Sequence, residues 1–309
     1  MDYKSRYLEF QLRELKRAFA GNDATLRFGV DCSNGMASMF AKALYPEAII
    51  INSELDGRFP CHSPNPLNPE ARIELAELVQ AEKLDCGVIF DGDADRAMFI
   101  DERGEFIQPD YLIPLVARAT PGESRVVLHD IRTSRGAIET LREEGFEPVM
   151  VPVGHAFAKP KMRELKARCG GELAGHYYFG DFFGCDSGIL AASRILGEFK
   201  RAKAAGLTVS QLMAPIVSRY ANSGELNFKV EDKDGAIGRV LKCAEGFGAE
   251  ISRSEIDGTR LNFAEGWINV RKSNTEPYLR LLVEAKTAIL MEAWVNQLTK
   301  VVACRSKCK

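Results

Sequence analysis

The chain has no uncharged apolar run approaching the ~18–20 residues that a membrane-spanning helix needs. Its first residues, Met-Asp-Tyr-Lys-Ser-Arg-Tyr-Leu-Glu, are charged from the second position and offer no apolar segment of the signal-peptide kind. It also lacks an excess of charge of either sign. There are 41 basic and 43 acidic residues, a formal net charge of −2. That balance argues against a nucleic-acid partner, which needs a basic face to displace counterions. Eight cysteines (Cys32, Cys61, Cys86, Cys169, Cys185, Cys243, Cys304 and Cys308) are scattered without a C-x-x-C, and Cys61-His62 has no second Cys/His pair at zinc spacing. They read as reduced thiols of a cytoplasmic protein. With 46% hydrophobic and 27% charged residues, bulk disorder is excluded.

What is present is a long alternation of strand-like and helix-like segments. At ~100–150 residues per domain, 309 residues correspond to two or three domains. Residues 1–22 read as a linking helix, with Leu8, Leu12, Leu15 and Phe19 on one stripe. Residues 23–121 and 122–222 then repeat one rhythm of short apolar strands and amphipathic helices. The predicted helices include 36–44, 70–82, 134–144, 156–168 and 188–203. From 223 to 309, short strands are grouped between helices. The expected class is α/β: two successive mixed or parallel α/β/α domains, followed by a C-terminal α+β domain.

Three loops carry candidate chemistry. Asp91, Asp93 and Asp95 follow a buried-type strand at i, i+2 and i+4. Three carboxylates on one loop repel unless a cation neutralises them, and hard oxygen ligands suit Mg²⁺ or Ca²⁺. An EF-hand is excluded, because Arg96 stands where that loop needs glycine and 97–100 is an apolar strand. The other reading is a solvated acidic turn. The segment Arg271-Lys-Ser-Asn-Thr-Glu-Pro277 offers a guanidinium, hydroxyls, an amide and backbone donors, the set that grips a phosphate dianion. A polar hairpin loop explains it equally well. Gly171-Glu172-Leu-Ala-Gly-His176 is glycine-bracketed, with an acid to accept sugar hydroxyls and an imidazole to move protons. Alone, Glu172 and His176 read as structural. So do Gly154-His155, before a helix, and Arg132, after a strand.

Together, and in this order, the loops resemble those of the α-D-phosphohexomutase family, the phosphomannomutases and phosphoglucomutases. Asp91-Gly-Asp-Ala-Asp-Arg96 resembles its metal loop, Gly171 to His176 its sugar-recognition loop, and Arg271 to Pro277 its phosphate loop. Asp31-Cys-Ser-Asn-Gly35, Pro64-Asn-Pro66 and Val153-Gly-His-Ala-Phe157 are further similarities. The resemblance implies Mg²⁺ on Asp91, Asp93 and Asp95. It implies catalytic roles for His176, Arg96 and Arg132, and substrate contacts from Glu172, His155, Arg271, Ser273, Asn274 and Thr275. The implied reaction interconverts hexose 1-phosphate and 6-phosphate, with mannose or glucose as the sugar, through a bisphosphate.

The chain departs from the family pattern in one major respect. The family's phosphoserine signature, of the Thr-Ala-Ser-His-Asn-Pro type, does not occur, so the resemblance extends to domains two to four only. Cys61-His-Ser-Pro-Asn-Pro66 matches a second-domain segment instead. Ala174 stands where the family usually carries Ser, and Cys185-Asp-Ser-Gly188 where Asp-Asp-Gly is usual. Three readings therefore stand. The chain is part of a mutase whose serine domain is missing, a non-catalytic phosphosugar-binding protein, or one chain of a split mutase that partners a separate serine-bearing domain.

Overall fold

The structure is a computed structural model and describes residues 2–273 and 277–303. The first unit contains α1 (Tyr3–Phe19), β1 (Phe28–Asp31), α2 (Ala41–Leu44), β2 (Ile49–Ile51), α3 (Ile73–Ala81), β3 (Cys86–Phe90), β4 (Ala97–Asp101), β5 (Phe106–Ile107) and α4 (Ile113–Ala119). Its sheet runs β2-β1-β3-β4-β5. The β1 pairings with β2 and β3 are parallel, whereas β3–β4 and β4–β5 are antiparallel. The strands β1, β3 and β4 are buried throughout, because helices cover both faces.

The second unit contains β6 (Val126–Asp130), α5 (Arg135–Glu143), β7 (Glu147–Val151), α6 (His155–Glu164), β8 (Cys169–Gly171), β9 (Tyr177–Phe179), β10 (Cys185–Asp186), α7 (Gly188–Ala204) and α8 (Val209–Val217). Its sheet runs β7-β6-β8-β9-β10 with the same pattern of directions. The repeated rhythm thus corresponds to one wiring used twice. The third unit contains β11 (Ala221–Asn222), β12 (Leu226–Lys229), α9 (Lys233–Ala244), β13 (Ser252–Ser254), β14 (Thr259–Phe263), β15 (Gly266–Lys272), β16 (Tyr278–Ala285) and α10 (Ala288–Ala303). Its antiparallel sheet runs β11-β16-β15-β14-β13, with β12 also on β16. Helices α9 and α10 bury Val240, Trp294 and Leu298 on it. No helix among the described residues is long and apolar enough to cross a membrane. The described cysteines are free thiols.

Several expectations shift in detail. The predicted helix 36–44 is a 3₁₀ turn, Met36–Met39, followed by the short α2. Met36 N is drawn onto the Gly92 carbonyl, which pins the first turn. The predicted helix 70–82 likewise opens as a 3₁₀ turn at Pro69, and helix 156–168 ends at Glu164. Of the apolar stripe on α1, Leu12 is exposed, and Gln11 and Glu14 are buried in its place. The reason is close approach to α7. A methyl on Gly197 would meet the Ala18 carbonyl oxygen at 2.6 Å, and Arg194 reaches Glu14 at 3.2 Å. Strands β11 and β13 and helix α8 are further elements beyond the sequence reading.

Candidate active site

The acidic loop is the β3–β4 turn. Asp91 is buried where β3 ends, and Ala94 takes a left-handed conformation (φ +62°) that lets the chain reverse. Asp91 Oδ1 accepts from Arg96 N at 3.0 Å, and its Oδ2 accepts from Arg96 Nε at 2.6 Å. Arg96 Nη1 donates to Asn65 Oδ1 at 3.1 Å, so the proline-rich loop before α3 helps to aim the guanidinium. The turn after β1 supports the same loop from below. Ser33 Oγ donates to the Phe90 carbonyl, and a methyl on Gly35 would meet the Gly92 carbonyl oxygen at 2.5 Å. Only glycine permits that approach.

Carboxylate oxygens of Asp91, Asp93 and Asp95 lie within 4.8 Å of one another. Burial, together with the charge of Asp95, pushes the Asp91 carboxyl up to about 7 despite Arg96. Burial and Asp93 also raise Asp95, against the opposing charge of His176. Both groups are held close with less positive charge than three carboxylates need. The donor set therefore fits a hard divalent cation.

The Glu172–His176 loop is the β8–β9 turn of the second sheet. Glu172 N donates to the His176 carbonyl, and Gly175 (φ +89°) closes the turn. Arg96 and His176 form an antiparallel bridge, which joins the two turns. His176 Nδ1 lies 3.1 Å from Asp186 Oδ2 and 3.6 Å from Asp95 Oδ2. Asp186 is held in turn by Lys159 Nζ at 2.8 Å. Burial pushes the imidazole down, but Asp186, Asp95 and Glu172 outweigh it, and the net shift is upward. Glu172 is buried and accepts from Tyr178 Oη at 2.6 Å. Its carboxyl is raised by burial and by the charge of Asp130.

Arg132 sits in the turn after β6. Asp130 Oδ2 accepts from its Nε and Nη2, at 3.1 and 2.6 Å. Its Nη2 is 3.9 Å from Glu172, and its Nη1 is 3.4 Å from Glu225 Oε1. Glu225 also reaches Arg271 Nη2 at 3.2 Å and Arg280 Nη1 at 3.1 Å. Contacts of under 4 Å therefore run from Asp95 through His176, the Glu172 turn, Arg132 and Glu225 to Arg271. The expected metal, sugar and phosphate loops line one continuous strip. His155 stands apart from this chain of contacts, exposed as the first residue of α6. Ser273 N donates to the Tyr278 carbonyl. Asn274 and Thr275 lie outside the described residues. Sequence reasoning missed Asp130, Lys159, Glu225 and Asp257, and gave Asp186 no role. The acid ending β6 had a visible analogue in Asp31 at the end of β1.

Two identically wired α/β sheets and an antiparallel C-terminal sheet thus bring acidic, Glu-His and arginine loops to one strip. Comparison with known proteins identifies the family that has this arrangement. Family models for phosphoglucomutase/phosphomannomutase match in succession: alpha/beta/alpha domain II over residues 5–104, alpha/beta/alpha domain III over 108–220, and the C-terminal domain over 225–301. The chain belongs to the phosphoglucomutase/phosphomannomutase family.

It is 40% identical over 260 residues to a phosphomannomutase of Vibrio cholerae, covering 83% of this chain and 55% of that one. It is 35% identical over 308 residues to a phosphohexose mutase of Xanthomonas campestris, covering 97% of this chain and 66% of that one. A solved phosphoglucomutase/phosphomannomutase family protein of Burkholderia thailandensis superposes with a TM-score of 0.80 at 27% identity, over 98% of this chain and 64% of the other. The chain thus spans roughly half to two thirds of the length of these relatives.

Proposed function

We propose that these residues supply the metal, sugar and phosphate sites of a cytoplasmic, Mg²⁺-dependent phosphohexomutase that interconverts hexose 1-phosphate and hexose 6-phosphate, of mannose or glucose, through a bisphosphate. In this reading 1–22 is a linking helix, and 23–121, 122–222 and 223–309 are the domains that carry the three sites. The observation that carries it is the unbroken run of contacts from the acidic turn to Arg271.

Asp91, Asp93 and Asp95 would hold Mg²⁺, which neutralises charge on the transferring phosphoryl group when bound. Arg96, fixed by Asp91 and Asn65, presents a guanidinium beside that group. Glu172 accepts sugar hydroxyls and is held in place by Tyr178. Asp186 lies against His176 Nδ1, so Nε2 is the nitrogen that exchanges a proton with the sugar. Arg271, with Ser273, Asn274 and Thr275, would grip the non-reacting phosphate, and Arg132 and His155 would supply basic contacts to the sugar phosphate, Arg132 in a catalytic role. Most of the catalysis in this scheme is positioning and charge neutralisation.

The phosphoryl-carrying serine is proposed to come from outside these residues. Ser63 Oγ accepts from Asn65 N at 3.3 Å and Asn68 Nδ2 at 3.0 Å, which fits a turn-forming role. Calorimetry with glucose 6-phosphate and mannose 6-phosphate, in the presence of Mg²⁺, tests the reading. Saturable binding by the chain, lost in Arg271→Ala, is expected. Absence of binding to either sugar phosphate overturns the site. Turnover of hexose 1-phosphate by the chain alone overturns the external serine.

A further inference from the structure

Arg132, Arg271 and Arg280 come from two different sheets and meet at one point. The side chains of Arg132 and Arg271 are each only 3% exposed. Gathering three guanidinium groups away from bulk water costs several kcal/mol unless anions face them. Glu225 is the one carboxylate, among the described residues, within 4 Å of all three. It lies 3.4 Å from Arg132, 3.2 Å from Arg271 and 3.1 Å from Arg280. It stands immediately after Gly224 (φ +67°), in the short connection from β11 to β12 at the start of the third unit. Asp257 faces Arg271 more distantly, at 3.7 Å, and also accepts from Val153 N at 3.1 Å. Arg271 Nε is buried and has no hydrogen-bond partner among the described residues.

We propose that the Glu225 carboxylate is an internal stand-in for the substrate's distal phosphate: it pairs with the arginine cluster, and a sugar phosphate binds by taking its place. The inference rests on the reading of this strip as a phosphosugar site and adds a competitor to it. A carboxylate and a phosphate oxygen pair with a guanidinium in the same planar way. A dianion carries more charge and more acceptors, so it wins when it arrives. Exchange keeps the arginines paired at every stage, so none is left buried and uncompensated. It also weakens the grip, because the apparent affinity falls by the fraction of time that Glu225 leaves the cluster free. A reaction that must release and turn its bisphosphate between half-reactions gains from a grip that loosens.

The test is calorimetry of glucose 6-phosphate on the full chain, on Glu225→Gln, and on Glu265→Gln as a control for charge. Glu265 pairs with Lys286 on the surface, away from the cluster. Ionic strength is held constant. The stand-in predicts about tenfold tighter binding for Glu225→Gln, corresponding to an occupied fraction of roughly nine tenths in the wild type. The control stays within about twofold, the scale of a screened surface charge. Equal or weaker binding by Glu225→Gln, with the wild type binding, overturns the stand-in and leaves the phosphosugar site intact. No binding by any of the three overturns both. If Glu225→Gln shows no cooperative unfolding transition, the structure of the wild-type chain with glucose 6-phosphate decides. Glu225 moved beyond 4 Å from Arg271 bears out the proposal. Glu225 still at its present 3.2 Å, with ligand bound, overturns it.

Discussion

Adding one methyl group at Gly188 should disturb the acidic turn from behind. Gly188 is the first residue of α7, in the second unit, and its N–H donates to the Ala94 carbonyl at 3.1 Å. A Cβ there would lie 2.6 Å from the Arg96 carbonyl oxygen and 2.7 Å from that of Ala94. Both are backbone atoms and cannot rotate aside. The turn, or the end of the helix, must give by roughly half an ångström, a change of the kind that costs about 1–3 kcal/mol in packed interiors. That corresponds to a fall of roughly 2–6 °C in the unfolding midpoint. The moved atoms flank Asp95, so Mn²⁺ affinity, read by electron paramagnetic resonance as a substitute for Mg²⁺, should fall by about tenfold, or ~1.4 kcal/mol. Gly238→Ala is the matched control. Gly238 lies inside α9, and an added Cβ meets nothing within 4 Å, so this change should stabilise by about 0.5–1 kcal/mol. If Gly188→Ala leaves both midpoint and Mn²⁺ affinity unchanged, the claimed closeness of α7 to the acidic turn is refuted.

His129 is fully buried in β6, and burial pushes its imidazole down to about 4 from an ordinary 6.5. The unfolded chain therefore takes up a proton that the folded chain refuses, so stability is lost as pH falls from about 6.5 to about 4. The loss is roughly 3 kcal/mol. His129→Gln should flatten that segment of a urea-midpoint profile taken from pH 4 to 7, and an unaltered slope would rule the histidine out as its source. Glu284 is buried between the second and third units and accepts from Trp267 Nε1 at 2.6 Å, Arg135 N at 2.8 Å and Asn222 Nδ2 at 3.1 Å. Glu284→Ala should cost about 3–5 kcal/mol in urea denaturation, because it strands these donors and removes the strongest of the carboxylate charges that face buried Arg260. A cost under ~1 kcal/mol would mean that water replaces the carboxylate.

How much of this was legible in the chain depends on sequence separation. The acidic turn was legible because its three aspartates lie within five residues and follow an unmistakable strand. Glu225 was not, because its arginine partners stand 93, 46 and 55 residues away. Nothing local in Ser-Gly-Glu-Leu announces a charge cluster. In the α1 stripe, Leu8, Leu15 and Phe19 do pack against the core, and only Leu12 was misplaced, for a related reason. Apolar periodicity predicts which face is buried when side chains fill the gap. Here, the glycine in the partner helix brings the backbones together, and the Glu14–Arg194 pair fills the gap instead. Helix α8 was a different miss, since its signal was local. Thr208 and Gln211 form a capping box, which marks the helix start, and Pro215 lies inside the helix.

The repeated wiring explains why loops so distant in the chain meet at all. The acidic turn joins the third and fourth strands of the first sheet in chain order, β3 and β4. The Glu172–His176 turn joins their counterparts, β8 and β9. The first strand of each sheet also ends on a buried aspartate that accepts from the backbone two residues on. Asp31 Oδ1 takes Ser33 N at 2.8 Å, and Asp130 Oδ1 takes Arg132 N at 2.7 Å. In open α/β sheets the carboxyl ends of the parallel strands are where ligands gather. Two such sheets set with these ends facing, and locked by the Arg96–His176 bridge, bring four loops to one strip without any long excursion of the chain. The rhythm that the sequence repeats is therefore also the cause of the site. The two units differ in which residues occupy equivalent turns: three carboxylates, proposed above to hold a cation, in one, and Glu172 with His176, proposed to meet a sugar, in the other. The third sheet adds Arg271 and Arg280 from the side, and Glu225, in the connection from β11 to β12, pairs with both.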